Sequence, residues 1–198
     1  MGLRLWEIGQ LAPRASLLDR AAQPHLEDLY EATHGSLHLA VLHGTYALYV
    51  TNISGHHPVD PGVRVGTRIP LTSLGAGEVL LAYANPDLIE RVLVDYPRTN
   101  GHPIASTHPI RQRLAGIRRS GVAVTRRGLR SVVVAAPVFG PSGGVVAALS
   151  AAVRATDPQH VPVGLVRLAA NRIAQELVGA IGGGAPGHET EANRSSAQ

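Results

Sequence analysis

Gly140-x-Ser142-x-Gly144 has the spacing of a nucleophile elbow, in which a serine on a sharp turn attacks a carbonyl. The elbow requires a strand before the serine and a helix after it. The residues that follow, Val145 to Val153, are strand-like, so the pattern reads as a hairpin turn. Ten histidines invite metal or acid–base chemistry. His56, His57, His102 and His108 lie in loop-like stretches, and His34, His38 and His43 flank a predicted hairpin. None has the i, i+4 helical pairing of a zinc protease, and His38 and His43 point to opposite faces of their strand. Cysteine is absent, which excludes disulfides, thiolate metal sites and cysteine nucleophiles. Lysine is absent too, since all 18 basic residues are arginine. That excludes a phosphate-loop lysine and a Schiff base. Asn52-Ile53-Ser54 fits a glycosylation acceptor, but without a secretion-type start it reads as chance.

One pattern keeps its chemistry. Gly75-Ala76-Gly77 opens a predicted helix with little side-chain cover over its backbone N–H groups. Free amides at a helix start favour a carboxylate or a phosphate. Small residues at the same place also let a helix pack closely on a sheet, and the sequence leaves both readings open.

The elements around it follow from periodicity. Residues 3–12 form a short helical lead-in carrying Trp6, the sole tryptophan, beside Leu5 and Ile8. Leu18, Ala22, Leu26, Leu29 and Tyr30 recur at helical spacing over 17–34, with Ser16 as the cap and Gly35 as the stop. A hairpin turns at His43-Gly44-Thr45, and Val63 and Val65 suggest a short strand. Helices are predicted over 73–84, from Asn85-Pro86 to Val94, and from Thr107 to Gly121 with Ile110, Leu114 and Ile117 inward. Pro97, Gly101 and Pro103 mark a loop before the last of these. Val122–Val124 is a strand, and Ser131–Phe139 and Val145–Val153 form a second hairpin. Asp157-Pro158 starts a final helix that runs to Ile181, and the apolar-poor stretch from Gly182 reads as disordered. The order predicts a mixed α/β (α+β) single domain with a mainly antiparallel sheet.

Charge is uneven. Net charge is +4, yet residues 96–156 hold nine arginines and no acid. That basic third suggests an anion-facing surface or simply a solvated helix face. Residues 97–138 hold no aromatic residue, which argues against direct nucleic-acid binding. No apolar run reaches the roughly 18 residues of a membrane span. The expectation is a cytoplasmic protein with no membrane contact.

Five stretches in order resemble the effector-binding domain of the IclR family of bacterial transcription regulators. They are Gly2–Gly9 as the linker helix and Pro24–Leu29 with His38–Leu42 as the first helix and strand. Ile69–Leu71 with Gly75–Ala82 follows, then Ile117–Val124, and Ala135–Phe139 with Val146–Ser150. The resemblance implies a GAF-like fold with a central antiparallel sheet flanked by helices. It implies a linker-helix remnant over 1–15, an effector-binding domain over 16–181 and a tail over 182–198. It implies a small-molecule carboxylate effector, self-association to a dimer or tetramer, and operator DNA contact only through an N-terminal winged helix-turn-helix that this chain lacks. Leu5, Trp6 and Ile8 would then belong to the helix that couples the two. No cofactor, metal or catalytic residue is expected.

Family members that bind small keto acids hold them with helix-start amides, an acid, a thiol and two serines. The resemblance places these at Gly75 and Ala76, then Thr125, Val133, Ser150 and Ala152 in this chain. Only the amides and one serine survive, and Arg126, Arg127 and Arg130 stand close by in sequence. Leaving polar atoms of a keto acid unpaired against Val133 and Ala152 costs roughly 1–3 kcal/mol each. The lining therefore suits an acid with an apolar, aromatic or branched body, covered by Val59, Pro61 and Val63. Two other readings remain: an enzyme on the same fold, for which no base is placed beside Ser142 or Ser150, and a ligand-free assembly module.

Overall fold

The computed structural model describes residues 2–182 except 57–58, 60–61, 74, 101–106, 128–130 and 155–160, and leaves aside the side chains of 2–15, 97–100, 127 and 181–182. Residues 183–198 of the predicted tail and the loop residues Pro61, Gly101 and Pro103 fall outside these, while Gly182 ends the last helix.

The lead-in and the first predicted helix are one element. α1 runs from Gly2 to Thr33, and Ser16, expected as a cap, lies inside it. No glycine stands in residues 10–33, and the helix continues through Pro13 and Pro24. Leu18, Ala22, Leu26 and Leu29 form its buried stripe. The helix closes through His34 in the left-handed region, φ 48°, whose N–H donates to the Tyr30 carbonyl at 2.7 Å. Gly35 then passes so close to β6 that a Cβ would sit 2.8 Å from the Ala152 carbonyl oxygen.

The remaining elements are β1 (Ser36–His43), β2 (Tyr46–Ile53), β3 (Arg68–Pro70), α2 (Ala76–Ala82), α3 (Pro86–Asn100), α4 (His108–Ser120), β4 (Ala123–Arg127), β5 (Ser131–Phe139), β6 (Val145–Arg154) and α5 (Val163–Gly182). Four boundaries correct the sequence reading. The short strand is at Arg68–Pro70, where it pairs with Tyr46–Leu48, and not at Val63 and Val65. α3 continues through Pro97. β4 begins at Ala123 and reaches Arg127, because β5 supplies pairing partners that far. α5 begins at Val163, with 161–162 outside the helix, while Asp157 and Pro158, expected to start it, lie outside the described residues. The Gly140–Gly144 segment is the hairpin turn expected of it, closed by Gly143 N–H to Gly140 O at 2.9 Å and Gly140 N–H to Gly144 O at 2.7 Å.

The six strands form one sheet in the order β3-β2-β1-β6-β5-β4. Every described pairing is antiparallel. Alternation then assigns two faces. Leu37, Leu39, Val132, Val134, Leu149 and Ala151 face α1 and α5. Ala40, Tyr49, Ala123, Ala135 and Ala148 face α2, α3 and α4. Alanine dominates the second face, so α2 can lie close against the strands.

The arginines of α4 act as clamps. Arg113 Nε donates to Glu78 Oε1 on α2 at 2.8 Å. Arg118 donates to the Ala82 carbonyl at the end of α2 at 2.9 Å. Arg111 forks onto Glu90 of α3 at 2.7 and 2.6 Å, which holds that carboxyl below the usual range. Three arginines of the basic third therefore serve helix–helix packing rather than an anion-facing surface.

Candidate functional site

The segment before α2 turns at Ser73, whose N–H donates to the Pro70 carbonyl at 2.9 Å. Gly75 then caps α2 with φ 89° and ψ −121°, a conformation open to glycine and strained for other residues. Its carbonyl accepts from Val79 N–H at 3.1 Å, closing the first turn. A Cβ on Gly75 would lie 2.9 Å from Val133 Cγ1, and one on Gly77 would lie 3.0 Å from the Leu71 carbonyl oxygen. Of the two readings left open, close packing is therefore realised here. The same packing sets the start of α2 directly against β5. Replacing Gly75 with alanine is expected to destabilise the domain by about 1–3 kcal/mol from backbone strain and this overlap. A loss below about 0.3 kcal/mol by urea unfolding would show that the turn relaxes freely.

β5 and β6 form the floor. Thr125 pairs with Val133, and Val133 pairs with Ala152. Ser150 lies one step along the same face, paired with Ala135. Gly75, Ala76, Thr125, Val133, Ser150 and Ala152 thus come from four elements to one side of the sheet. Arg126 does not join them. Its neighbour Thr125 shares the face of Ala123, so alternation puts Arg126 on the opposite face, where it is exposed. Arg127's side chain and Arg130 lie outside the described residues.

The register adds residues that sequence reasoning had not placed in the site. β1 pairs His38 with Ser150 and Ser36 with Ala152. β2 pairs Asn52 with His38. His38, Ser36 and Ser150 are buried. The Tyr49 ring stands edge-on to His38, with centroids 5.6 Å apart. The loop before β3 covers this end. Val59 N–H donates to Ser36 Oγ at 2.9 Å, and Asn52 Nδ2 donates to the Val63 carbonyl at 3.2 Å. The alternation of Leu37 and Leu39 could have flagged His38 as facing the other way. Its neighbours on β6 and β2 could not be read locally.

Glu78 is the charged group nearest the helix start. Its side chain is 3% exposed. Burial pushes its carboxyl above the ordinary value, and Arg113 opposes that rise. Among the described residues, no group of three His, Cys, Asp or Glu side chains is arranged to hold a metal ion. No described helix is long and apolar enough to cross a membrane. A separate cleft of about 290 Å³ is lined by Thr45, Tyr46, Pro70, Leu71, Thr72, Val92 and Asp95, and none of the six expected site residues borders it.

A six-stranded antiparallel sheet with paired helices on one face and a small-residue helix start on the other is a GAF-like fold. The profile of the bacterial transcriptional regulator IclR C-terminal domain matches residues 14–174. The chain belongs to the IclR family of bacterial transcriptional regulators and carries its C-terminal domain. The HTH-type transcriptional regulator KdgR of Dickeya chrysanthemi is 30% identical over 185 residues, covering 88% of this chain and 60% of that protein. Its Escherichia coli K12 namesake is 32% identical over 154 residues, covering 75% of this chain and 58% of that protein. The chain thus spans roughly three-fifths of the length of these relatives. Among solved structures, an IclR homolog from Microbacterium hydrocarbonoxydans complexed with 4-hydroxybenzoate superposes with a TM-score of 0.75 at 30% identity, covering 89% of this chain and 75% of that one. The C-terminal domain of E. coli KdgR gives 0.67 at 25% identity, covering 82% of this chain and 99% of that one.

Proposed function

We propose that this domain senses a small carboxylic acid with an apolar or aromatic body, without catalysis. In a complete regulator its occupancy would alter operator binding by an N-terminal DNA-binding domain, in a cytoplasmic homo-oligomer. The observation that carries this reading is the packing of the α2 start on β5, so close that a Cβ added to Gly75 would lie 2.9 Å from Val133 Cγ1, which sets the amides at the start of α2 beside a nearly apolar floor. Gly75 and Ala76 N–H groups would hold the carboxylate, and Val133 and Ala152 would contact the body, with Thr125 and Ser150 at its edges. The 4-hydroxybenzoate bound by the Microbacterium homolog supports an aromatic acid. α1 begins at Gly2 and reaches the sheet without interruption, which supports it as the coupling helix. Effector binding would shift the population of two arrangements of the helices around the site.

A thermal-shift series with benzoate, 4-hydroxybenzoate, glyoxylate and pyruvate tests the class of acid. A ligand at 100 times its Kd adds about 2.7 kcal/mol. At roughly 2–4 °C per kcal/mol that raises Tm by about 5–10 °C. Aromatic acids are expected to give this rise and the keto acids none. In Ala76→Pro the backbone N–H is lost at a first helical position that tolerates proline. The rise should fall by more than half in that variant if its circular dichroism is unchanged. Tight keto-acid binding with no aromatic binding would sink the proposal.

One observation favours a second reading, a ligand-free assembly module. Gly75, Val133, Ser150 and Ala152 are all buried as they stand. On the opposite face, Leu165 and Leu168 of α5 are exposed beside His25 and Asp28 of α1. Silence across the acid series, with a concentration-dependent Tm, would support that module instead.

A further inference from the structure

The cleft of about 290 Å³ lies apart from the site described above, between the β1–β2 turn, the end of β3 and the inner side of α3. Its volume stands at the lower end of ligand-sized clefts, roughly 300 Å³. Leu71, Thr72 and Val92 are its buried floor. Thr45, Tyr46, Pro70 and Asp95 stand at its rim. The wall is fixed by the Leu71 N–H, which donates to the Thr45 carbonyl at 3.2 Å, and by the Ser73 turn. Thr72 is the exception in the floor. It is 7% exposed, yet its hydroxyl makes no hydrogen bond among the described residues. Buried polar groups are ordinarily paired, and one that is not asks for a reason. Among the described residues of the wall, Asp95 carries the only charge. A neighbour already engages it, but an ionised carboxylate has about four lone-pair sites and can accept again.

We propose that this cleft is a second small-molecule site, and that it takes an organic ammonium ion with a short apolar body. The Thr72 hydroxyl and the Asp95 carboxylate accept from the ammonium, and a hydrogen bond between charged partners is roughly twice as strong as a neutral one. The Tyr46 ring, 43% exposed at the rim, offers its face to the same cation. Pro70, Leu71 and Val92 contact the body. A carboxylic acid would meet the like charge of Asp95, so this cleft selects against the ligand class proposed for the other site. The inference does not depend on that reading, since none of Gly75, Ala76, Thr125, Val133, Ser150 and Ala152 borders the cleft. The two places are joined by one turn. The Leu71 carbonyl is the atom against which Gly77 of α2 packs. An occupant of the cleft therefore braces the segment that leads into α2.

Isothermal titration of the full chain with three probes tests this. They are 2-phenylethylamine, its neutral analogue 2-phenylethanol, and glucose as a polyol of similar size. The amine is expected to bind roughly tenfold or more tighter than the alcohol. In Asp95→Asn the amine should fall to the affinity of the alcohol, while the alcohol stays within about twofold of its own value. Thr72→Val, which keeps the side-chain shape, should weaken the amine several-fold. Asp95 lies at an exposed position, so its variant keeps the test open if Thr72→Val fails to fold. Saturating benzoate should leave amine binding unchanged. Equal affinity for amine and alcohol overturns the proposal, as does amine binding that neither variant alters. Displacement of the amine by benzoate, binding of glucose alone, or no binding by any of the three also overturns it.

Discussion

Replacing Leu149 with alanine is expected to lower stability by about 3–5 kcal/mol and Tm by roughly 10 °C. Leu149 sits in the middle of β6, with no exposed surface. It pairs with Leu39 on one side and Ala136 on the other. All three point at α1 and α5. The side chain fills the layer where the sheet meets both helices. Strands hydrogen-bonded on both edges cannot collapse into the space it leaves, so the transfer loss and the cavity term add. Leu149→Met, which conserves volume, should cost less than about 1.5 kcal/mol. Urea unfolding measures both. A loss below about 1 kcal/mol for the alanine variant would mean that α1 and α5 do not close over the sheet.

Replacing Arg113 with methionine is expected to cost about 2–3 kcal/mol at neutral pH. Removing one partner of a fully buried pair costs roughly 3–5 kcal/mol. Here Glu78 is buried but Arg113 is 45% exposed, so solvent screening already weakens the pair. The pH dependence follows from the direction of the Glu78 shift. Burial raises its carboxyl above 4.5 in the folded protein, and the arginine limits that rise. The folded state therefore binds the proton more tightly than the unfolded chain. Stability from this group is greatest below pH 4.5 and declines as pH rises through the folded value. Without Arg113 the folded value rises further and the decline deepens. The difference between variant and wild type should be large at pH 7, shrink as pH falls toward 4.5 and below, and largely vanish in a Glu78→Gln background. Urea midpoints across that range check it, and a difference independent of pH would show that the arginine acts only by packing.

These two sites illustrate different degrees of legibility. Leu149 lies in the apolar run Val145–Val153 that returns from a glycine-rich turn and so reads as a strand, and Ser131–Phe139 was readable to the residue. The helix with Ile110, Leu114 and Ile117 inward and Gly121 as its left-handed cap, φ 70°, was equally plain. Arg113 was not. Its charge belongs to a stretch that reads as an anion-facing surface, and only the meeting of α4 with α2 makes it the partner of an acid 35 residues away. Element boundaries failed where tertiary contact overrides local punctuation, as in α1 running through Ser16 and α3 through Pro97.

The sequence by itself determined the order of elements, the two hairpins, the family and the glycine-opened helix start. Each depends on residues close in the chain, where the 3.6- and two-residue periods act. It also determined that cysteine and lysine chemistry is absent. The tertiary structure alone decided that Gly75 rests on Val133, that Arg126 faces away from the site, and that Ser150, His38 and Asn52 form one line. Period-two alternation says which face a side chain takes but not which residue lies beside it. That neighbour is set by strand register between segments far apart in sequence, and register is fixed only when the whole sheet closes between its helices.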